Sequence, residues 1–391
     1  MGMIINIDKA LELRSDYNVL REPLNDMLMA QQEAWEKKNP IDLLFHRGSI
    51  STFQETYTSS IGFDHAFAET SDYNIGPIFN TAEGFSATYR TRTFQGSFII
   101  TKQTLEDGRV GQVKDDATAF VKRWHADQVE YAMKAVEGGF GTVVEYDSGN
   151  GKSRIKLESA DTSTGAIDDP VKNPLFYKEH TTVKRGDANP VKQSNIFYAN
   201  IDKNNVAALA DVINQVITKM ENYRDDNGKR AGVNGSKVIV APNDAHLKAA
   251  LNTALSMEMF ENGDGKYLNS GYKRATVEDT PYLLDIAPCA DGKGFFIIDR
   301  AYNASNHGLE FTERVPFTLD VIEEKRPAGI IYDGRQRFDI NVASWRGIAY
   351  VHIAPTAPTF LTADKYEEIT PLAVTAKAVT VVGTVTTKEE A

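Results

Sequence analysis

Between Lys114 and Val136 the apolar residues Ala117, Phe120, Val121, Trp124, Tyr131, Ala132 and Ala135 fall at helical spacing, with Gln128 the one interruption. Such a stripe defines one long amphipathic helix. Asp115 and Asp116 offer an N-cap, and Gly138-Gly139 offers a left-handed turn to stop it. Roughly 23 residues at 1.5 Å each give a rod of about 35 Å. Any fold of this chain must lay that stripe along a core.

Upstream, residues 1 to 22 are mixed polar and apolar with no strong period. A short helix is expected after Pro23, with Leu24, Leu28 and Trp35 on one face until Asn39-Pro40, and residues 1 to 50 read as an N-terminal arm. Between residues 51 and 100 the composition changes. Ten aromatics occur there, from Phe53, Tyr57 and Phe63 to Phe79, Phe85, Tyr89, Phe94 and Phe98, in a chain that is 10% aromatic. Phe85 to Phe94 alternates with a β period, and Gly76-Pro77 and Glu83-Gly84 are turn signals. This reads as a long two-stranded excursion. Two strands bury too little to be stable alone, so a neighbouring domain or subunit must cover them.

Ser97 to Leu105 reads as a strand that leads into the long helix. Beyond the helix, Gly141–Tyr146 and Ser153–Glu158 read as strands joined by a turn over residues 147 to 152. Residues 159 to 195 are polar, contain Pro170, Pro174 and Pro190, and are expected to form an irregular, exposed insertion. A second helix is expected from Lys203 to Tyr223, capped by Asp202, with Val206, Leu209, Ala210, Ile213, Val216, Ile217 and Met220 inward, and Asn227-Gly228 ending it. Lys237–Ala241 then reads as a buried strand, followed by a helix with Leu247, Ala250, Leu251 and Ala254 inward: an α/β unit. Short strands are expected at Tyr282–Ile286, Phe295–Asp299, Phe317–Glu323, Arg337–Ala343 and Arg346–Ile353. Pro355 and Pro358 mark a boundary before a tail rich in Thr, Val and Ala.

The residues carry no positive sign of catalysis. Gly149-Asn150-Gly151-Lys152-Ser153 resembles the end of a phosphate loop, but Tyr146 stands where the pattern needs glycine, and an alternating strand follows where it needs a helix. A calcium loop around residues 260 to 271 would place Phe260 and Gly271 at the two positions that must be acidic. The seven histidines are scattered, and His125 beside Trp124 reads as a packed or surface side chain. Cys289 is the single cysteine, which excludes an intramolecular disulfide and fits a reducing compartment. With no stretch of 18 apolar residues and no signal-like start, the expectation is an intracellular, non-membrane protein. The net charge of -11 argues against nonspecific coating of nucleic acid, though not against standing beside it. No catalytic, cofactor-binding or metal-binding residue is singled out.

Taken as an order of parts, residues 40 to 355 resemble the major capsid protein of tailed bacteriophages, the Hong Kong 97 fold. Phe98-Ile99-Ile100-Thr101-Lys102-Gln103-Thr104-Leu105-Glu106-Asp107, running into the helix from Lys114, looks like that family's join between extended loop and spine helix. Lys237-Val238-Ile239-Val240-Ala241-Pro242-Asn243 looks like the start of its axial domain. Phe338-Asp339-Ile340-Asn341-Val342 and Trp345-Arg346-Gly347-Ile348-Ala349-Tyr350-Val351 look like the last strands of its peripheral domain. The resemblance implies an α+β fold divided into an N-terminal arm (1–50) and an extended β-hairpin loop (51–100). A peripheral domain follows (101–235), with spine helix 114–136, insertion 159–195 and helix 203–223. An axial α/β domain (236–310), closing peripheral strands (311–355) and a C-terminal tail (356–391) complete it.

The family's function would make this chain a non-enzymatic subunit of an icosahedral shell around double-stranded DNA, in the virion and assembled in the host bacterial cytoplasm. Implied partners are further copies in hexamers and pentamers, a portal, decoration proteins and the packaged DNA, contacted nonspecifically. The short stretch ahead of the hairpin implies a separate scaffolding protein, and no cofactor is implied. Phe79, Phe85, Tyr89 and Phe94 become the expected assembly anchors; Phe120, Trp124 and Tyr131 become spine-helix packing residues. The isopeptide weld of some family members is not implied, because no lysine lies between Lys38 and Lys102. A different class stays open on the residues alone: an α/β metabolic enzyme with the hairpin folded onto its own body. An encapsulin-like compartment is a variant of the shell.

Overall fold

The computed structural model describes residues 17–63, 81–101, 103–104, 107, 110–147, 151–160, 172–182, 191–226, 228–262, 265–325, 328–358, 360, 362 and 364–371. Helix α1 (Tyr17–Glu36) opens them, followed by strands β1 (His46–Ser49), β2 (Gln54–Phe63), β3 (Thr81–Arg90) and β4 (Arg92–Thr101), and then by the spine helix α2 (Val110–Gly138). Short strands β5 (Val144–Asp147), β6 (Lys152–Ile155), β7 (Glu158–Ala160), β8 (Lys172–Pro174), β9 (His180–Thr181), β10 (Lys192–Gln193) and β11 (Ile196–Ala199) lead to helix α3 (Val206–Glu221). Next come β12 (Lys237–Pro242), α4 (Ala245–Ser256), β13 (Met259–Asn262), β14 (Gly265–Leu268), β15 (Ala275–Thr280), β16 (Gly294–Asp299) and α5 (Arg300–Ser305). Strands β17 (Leu309–Lys325), β18 (Ala328–Val342), β19 (Ile348–Ile353) and β20 (Glu367–Glu368) complete the order.

Two sheets organise these elements. The first has the order β1-β17-β18-β4. Its long hairpin runs from Leu309 paired with Val342 at the root to Lys325 paired with Ala328 at the tip, with register shifts near Val315. Against one face of its distal half lie α1 and α2. Leu24, Leu28, Val113, Ala117 and Val121 from the helices meet Ile100, Ile330 and Tyr332 from the strands. The 29-residue spine helix, about 44 Å long, therefore buries its stripe as its spacing requires. It starts four residues before Lys114, so Asp115 and Asp116 are exposed side chains within it, not its cap. At its other end, Leu157 N–H donates to Gly138 O and Phe176 N–H to Gly139 O, so the connections beside β6 and β8 satisfy carbonyls at the helix end. The left-handed residue is Gly141, at φ +85°, rather than Gly138 or Gly139.

The second sheet has the order β15-β12-β16-β19-β11-β20. Residues of β12, β16, β19 and β11 are buried throughout, which explains their continuous apolar runs. This sheet draws on residues 196–199, 237–242, 275–280, 294–299, 348–353 and 367–368, and so takes strands from both sides of the expected boundaries at 236 and 311. Helices α3 and α4 also pack on each other across the first of those boundaries. Lys237, buried at the head of β12, is 2.8 Å from Asp299 Oδ2 and also donates to the carbonyls of Val233 and Gly235. Asp299 in turn accepts from Tyr302 N–H and caps α5.

Further departures from the sequence reading have local causes. Helix α1 runs from Tyr17, six residues ahead of Pro23, with Leu24 and Leu28 held against α2. The described part of the arm thus packs on its own subunit. Asn205, not Asp202, caps α3, accepting from Ala208 N–H, and the helix stops at Glu221, ahead of Asn227-Gly228. Residues 281–285 form a 3₁₀ turn instead of a strand, with Pro281 at its first position and the strand placed before it, in β15. In the described part of the expected exposed insertion, Leu175, Phe176, His180 and Asn195 are buried. Asn195 stitches it down, donating to Leu175 O while accepting from Tyr177 N–H, and His180 stacks on Trp345 at 4.0 Å. The tail beyond Phe360 also packs at its start, where β20 pairs in parallel with β11 and Ile369 is buried.

Candidate assembly surfaces

Strands β2 and β3 pair with each other and, among the described residues, with no other strand. Their ladder runs regularly from Gln54 opposite Arg90 to Thr58 opposite Ser86, and then shifts register twice. Such irregularities increase twist and re-aim a hairpin. Its root is fixed by Tyr89, which is 1% exposed and donates from its hydroxyl to His307 O at 3.1 Å. Tyr57 packs 4.7 Å from the Tyr89 ring and 4.0 Å from the His307 ring. His307 holds a left-handed backbone, at φ +49°, and its Nδ1 lies 3.2 Å from the buried Glu310 carboxylate. Gly48 of β1 allows that approach, since a Cβ there would stand 3.0 Å from Glu310 Oε2. Burial pushes the Glu310 pKa up, while the charges of His307 and His46 pull against it.

The sequence reading makes Tyr89 and Phe94 assembly anchors; within the subunit Tyr89 is buried and Phe94 is half-buried. Phe94 stacks on Phe338 at 4.4 Å and meets Tyr131 edge-on at 5.0 Å. Alternation along a strand says which residues share a face, not which face the core lies on. Phe79 is outside the described residues, and Phe85 is described only as part of β3.

Phe94 also lines a groove of about 350 Å³ between β4, α2 and β5, with Trp124, Asp127, Gln128, Tyr146 and Phe338 around it. Three spine-helix side chains set its floor. Trp124 Nε1 and Gln128 Nε2 both donate to Gln336 Oε1 at 3.2 Å, and Gln336 Nε2 donates to Glu313. Gln128, the apparent flaw in the apolar stripe, is thus buried and bonded to a glutamine on β18. Tyr131 donates to Asp339 at 2.5 Å, and Arg92 Nε holds the other oxygen at 3.1 Å. Burial raises the pKa of Asp339 and pushes the Tyr146 hydroxyl up to about 12. Phe120, one turn before Trp124, packs on Phe98 at 4.9 Å.

At the contact of α1 with α2, His125 stacks on Trp35 at 4.5 Å, and its Nε2 lies 2.5 Å from Gln32 Oε1. Burial lowers its pKa to about 4. Elsewhere, Cys289 is fully buried and its thiol pKa is pushed up, which disfavours a nucleophilic thiolate. Ser153 lies in a strand, β6, where a phosphate loop needs a helix, and Met259–Asn262 pairs with Gly265–Leu268 as β13 and β14; residues 148–150 and 263–264 of the two fragments lie outside the described residues. Among the described residues, no group of three or more His, Cys, Asp or Glu could hold a metal ion, and no helix is long and apolar enough to cross a membrane.

No family model matches the chain, and no curated protein matches it. Solved structures do. A chain from Mycobacterium phage Patience is 13% identical, with a TM-score of 0.46 over 90% of both chains. The mature capsid of bacteriophage PhiM1 is 10% identical, with a TM-score of 0.42 over 81% of this chain and 87% of that one. A virus-like particle from Pyrococcus furiosus is 11% identical, with a TM-score of 0.40 over 85% and 98%. Most of the structures it resembles are phage capsids.

Proposed function

We propose that this chain is a structural subunit of an icosahedral shell of the tailed-phage capsid type, with a packing role rather than a catalytic one. The observation that carries the reading is the β2–β3 hairpin. It is pinned at one end by Tyr57, Tyr89 and His307, and two strands by themselves bury too little to be stable. A neighbouring copy is the natural cover, as in a shell built from repeated contacts among hexamers and pentamers. Phe79 and Phe85 remain the aromatic anchors of that contact in this reading. Tyr89 and Phe94 serve instead to hold the subunit together.

The negative net charge suits a wall that confines double-stranded DNA without binding it, because each added cation would make another salt-dependent phosphate contact. The same reading brings a separate scaffolding protein, a portal, decoration proteins, and assembly in a bacterial host before the subunit takes its place in the virion. The test is a truncation that joins Thr58 to Ser86 through an Asn-Gly turn, keeping the root intact. Electron microscopy of the unmodified chain at high concentration is expected to show shells, tubes or rings, and the truncated chain is expected to stay folded and unassembled. A truncated chain that unfolds would mean the hairpin is cover for its own body, as in the enzyme reading.

A further inference from the structure

The groove between β4, α2 and β5 keeps its donors engaged and leaves acceptors over. Trp124 Nε1 can only donate, so the Gln336 atom 3.2 Å away is its amide oxygen; Glu313, accepting from Gln336 Nε2, fixes the same orientation. Gln128 Nε2 donates to that oxygen, which turns the Gln128 Oε1 away from Gln336. Gln128 is 2% exposed, and its Oε1 is buried with no hydrogen-bond partner among the described residues. An acceptor buried unpaired is costly. On β4, Gln95 Nε2 donates to Asp333 at 2.7 Å, so the amide oxygen is again the acceptor left over.

The lining also sets the sign and the shape of a complementary group. Asp127 is the one charged residue in it. Arg123 Nε lies 2.8 Å from Asp127 Oδ1, but the Arg123 side chain is 75% exposed, so solvent screens that pair. Burial pushes the Asp127 pKa up, against the pull of Arg123, and a cation in the groove would favour the ionised form. Phe94, Trp124, Tyr146 and Phe338 supply aromatic walls. The Tyr146 ring already faces one cation, with Lys134 Nζ 5.8 Å from its centre. A concave site of about 350 Å³ with aromatic walls, a carboxylate and a buried acceptor suits a small organic cation.

We propose that this groove binds a guanidinium group carried on a short alkyl stem, with its plane against the aromatic walls, the Asp127 carboxylate as its ionic partner and Gln128 Oε1 as a second acceptor. Guanidinium has five donors and no acceptor, the complement of a lining whose leftover polar atoms accept. It is flat, stacks on aromatic faces and is more weakly hydrated than an ammonium, so it gives up less on entering. The site lies within one subunit and does not rest on the shell reading.

The test is isothermal titration calorimetry of the unassembled full chain with n-butylguanidinium, n-butylammonium and n-butylurea, which share a stem and differ in charge and donors. n-Butylguanidinium is expected to bind saturably and about tenfold tighter than either of the others, the equivalent of one desolvated cation–π contact. Asp127→Asn should weaken it about tenfold, through loss of the charge-assisted bond. Asp116→Asn removes the same charge from an exposed position on the same helix and should leave binding unchanged. Gln128→Met keeps the length without the acceptor and should also weaken binding; should that variant fail to fold, Asp127→Asn, altered at a part-exposed carboxylate, carries the test alone. N-Acetylarginine methylamide separates the sources. If it binds like n-butylguanidinium, the group is an arginine side chain of a polypeptide; if only the free compound binds, it is a small molecule; both results support the site. Equal binding of n-butylurea or n-butylammonium, equal loss in Asp116→Asn, or no saturable binding of n-butylguanidinium would overturn the proposal, and each would leave the shell reading as it stands.

Discussion

Replacing Tyr89 separates an inward ring from an outward one. Its side chain is 1% exposed, packs on Tyr57, and donates to His307 O. A buried aromatic covers roughly 150–200 Å², about 4–5 kcal/mol at 25 cal/mol per Å², and truncation of such a ring costs about 3–5 kcal/mol. Loss of the hydroxyl alone forfeits one hydrogen bond, about 1 kcal/mol. At roughly 2–4 °C per kcal/mol for a large domain, Tyr89→Ala should lower the melting temperature of the unassembled chain by about 10 °C and Tyr89→Phe by about 3 °C. Amide exchange should speed up over β2 and β3 and over residues 307–310 in both variants. Were Tyr89 an anchor between subunits, Tyr89→Ala would leave the melt of the unassembled chain unchanged and weaken only assembly. That result would refute the reasoning.

Two further outcomes follow from buried polar groups. His125 has its folded pKa lowered from 6.5 to about 4, so it binds fewer protons folded than unfolded between those values. Stability from this group is complete above about pH 6.5 and declines as pH falls toward 4. Scanning calorimetry at stepped pH should show that decline, and it should be shallower in His125→Gln; identical slopes would place the titration elsewhere. Lys237→Met leaves Asp299 buried without its cation and should cost on the order of 3–5 kcal/mol by urea denaturation. Adding Asp299→Asn, which keeps an acceptor for Tyr302 N–H, should recover most of it, and no recovery would mean that the ion pair is not the source of the loss.

The order and type of most of the longer elements could be read along the chain because they depend on neighbours in sequence. The stripe of Ala117, Val121 and Ala132, the spacing of Leu209, Ile213 and Met220, and the run Val238 to Ala241 each report a period that one helix or strand alone creates. Caps were less legible. Asp202 and Asn205 are both good cap residues, and which one closes α3 depends on where the chain enters the helix. The β17–β18 hairpin extends beyond the expected strands by residues 309–316 and 324–325 of β17 and by residues 328–336 of β18, and at its tip Glu324 and Lys325 look like a loop when only their charge is considered.

For this protein, then, sequence alone determined that an aromatic-rich hairpin, a long helix and an α/β unit would follow in that order, since local periodicity and turn chemistry suffice for that. Tertiary structure decided which way the rings face. Tyr89 and Phe94 turn inward only because His307, Phe338 and Tyr131, distant in the chain, arrive beside them. It also joined residues 196–199 and 348–353 to the sheet built on β12, and left β4 at an edge. Strand pairing between remote segments is chosen by how the whole core closes, and no window of sequence contains that information.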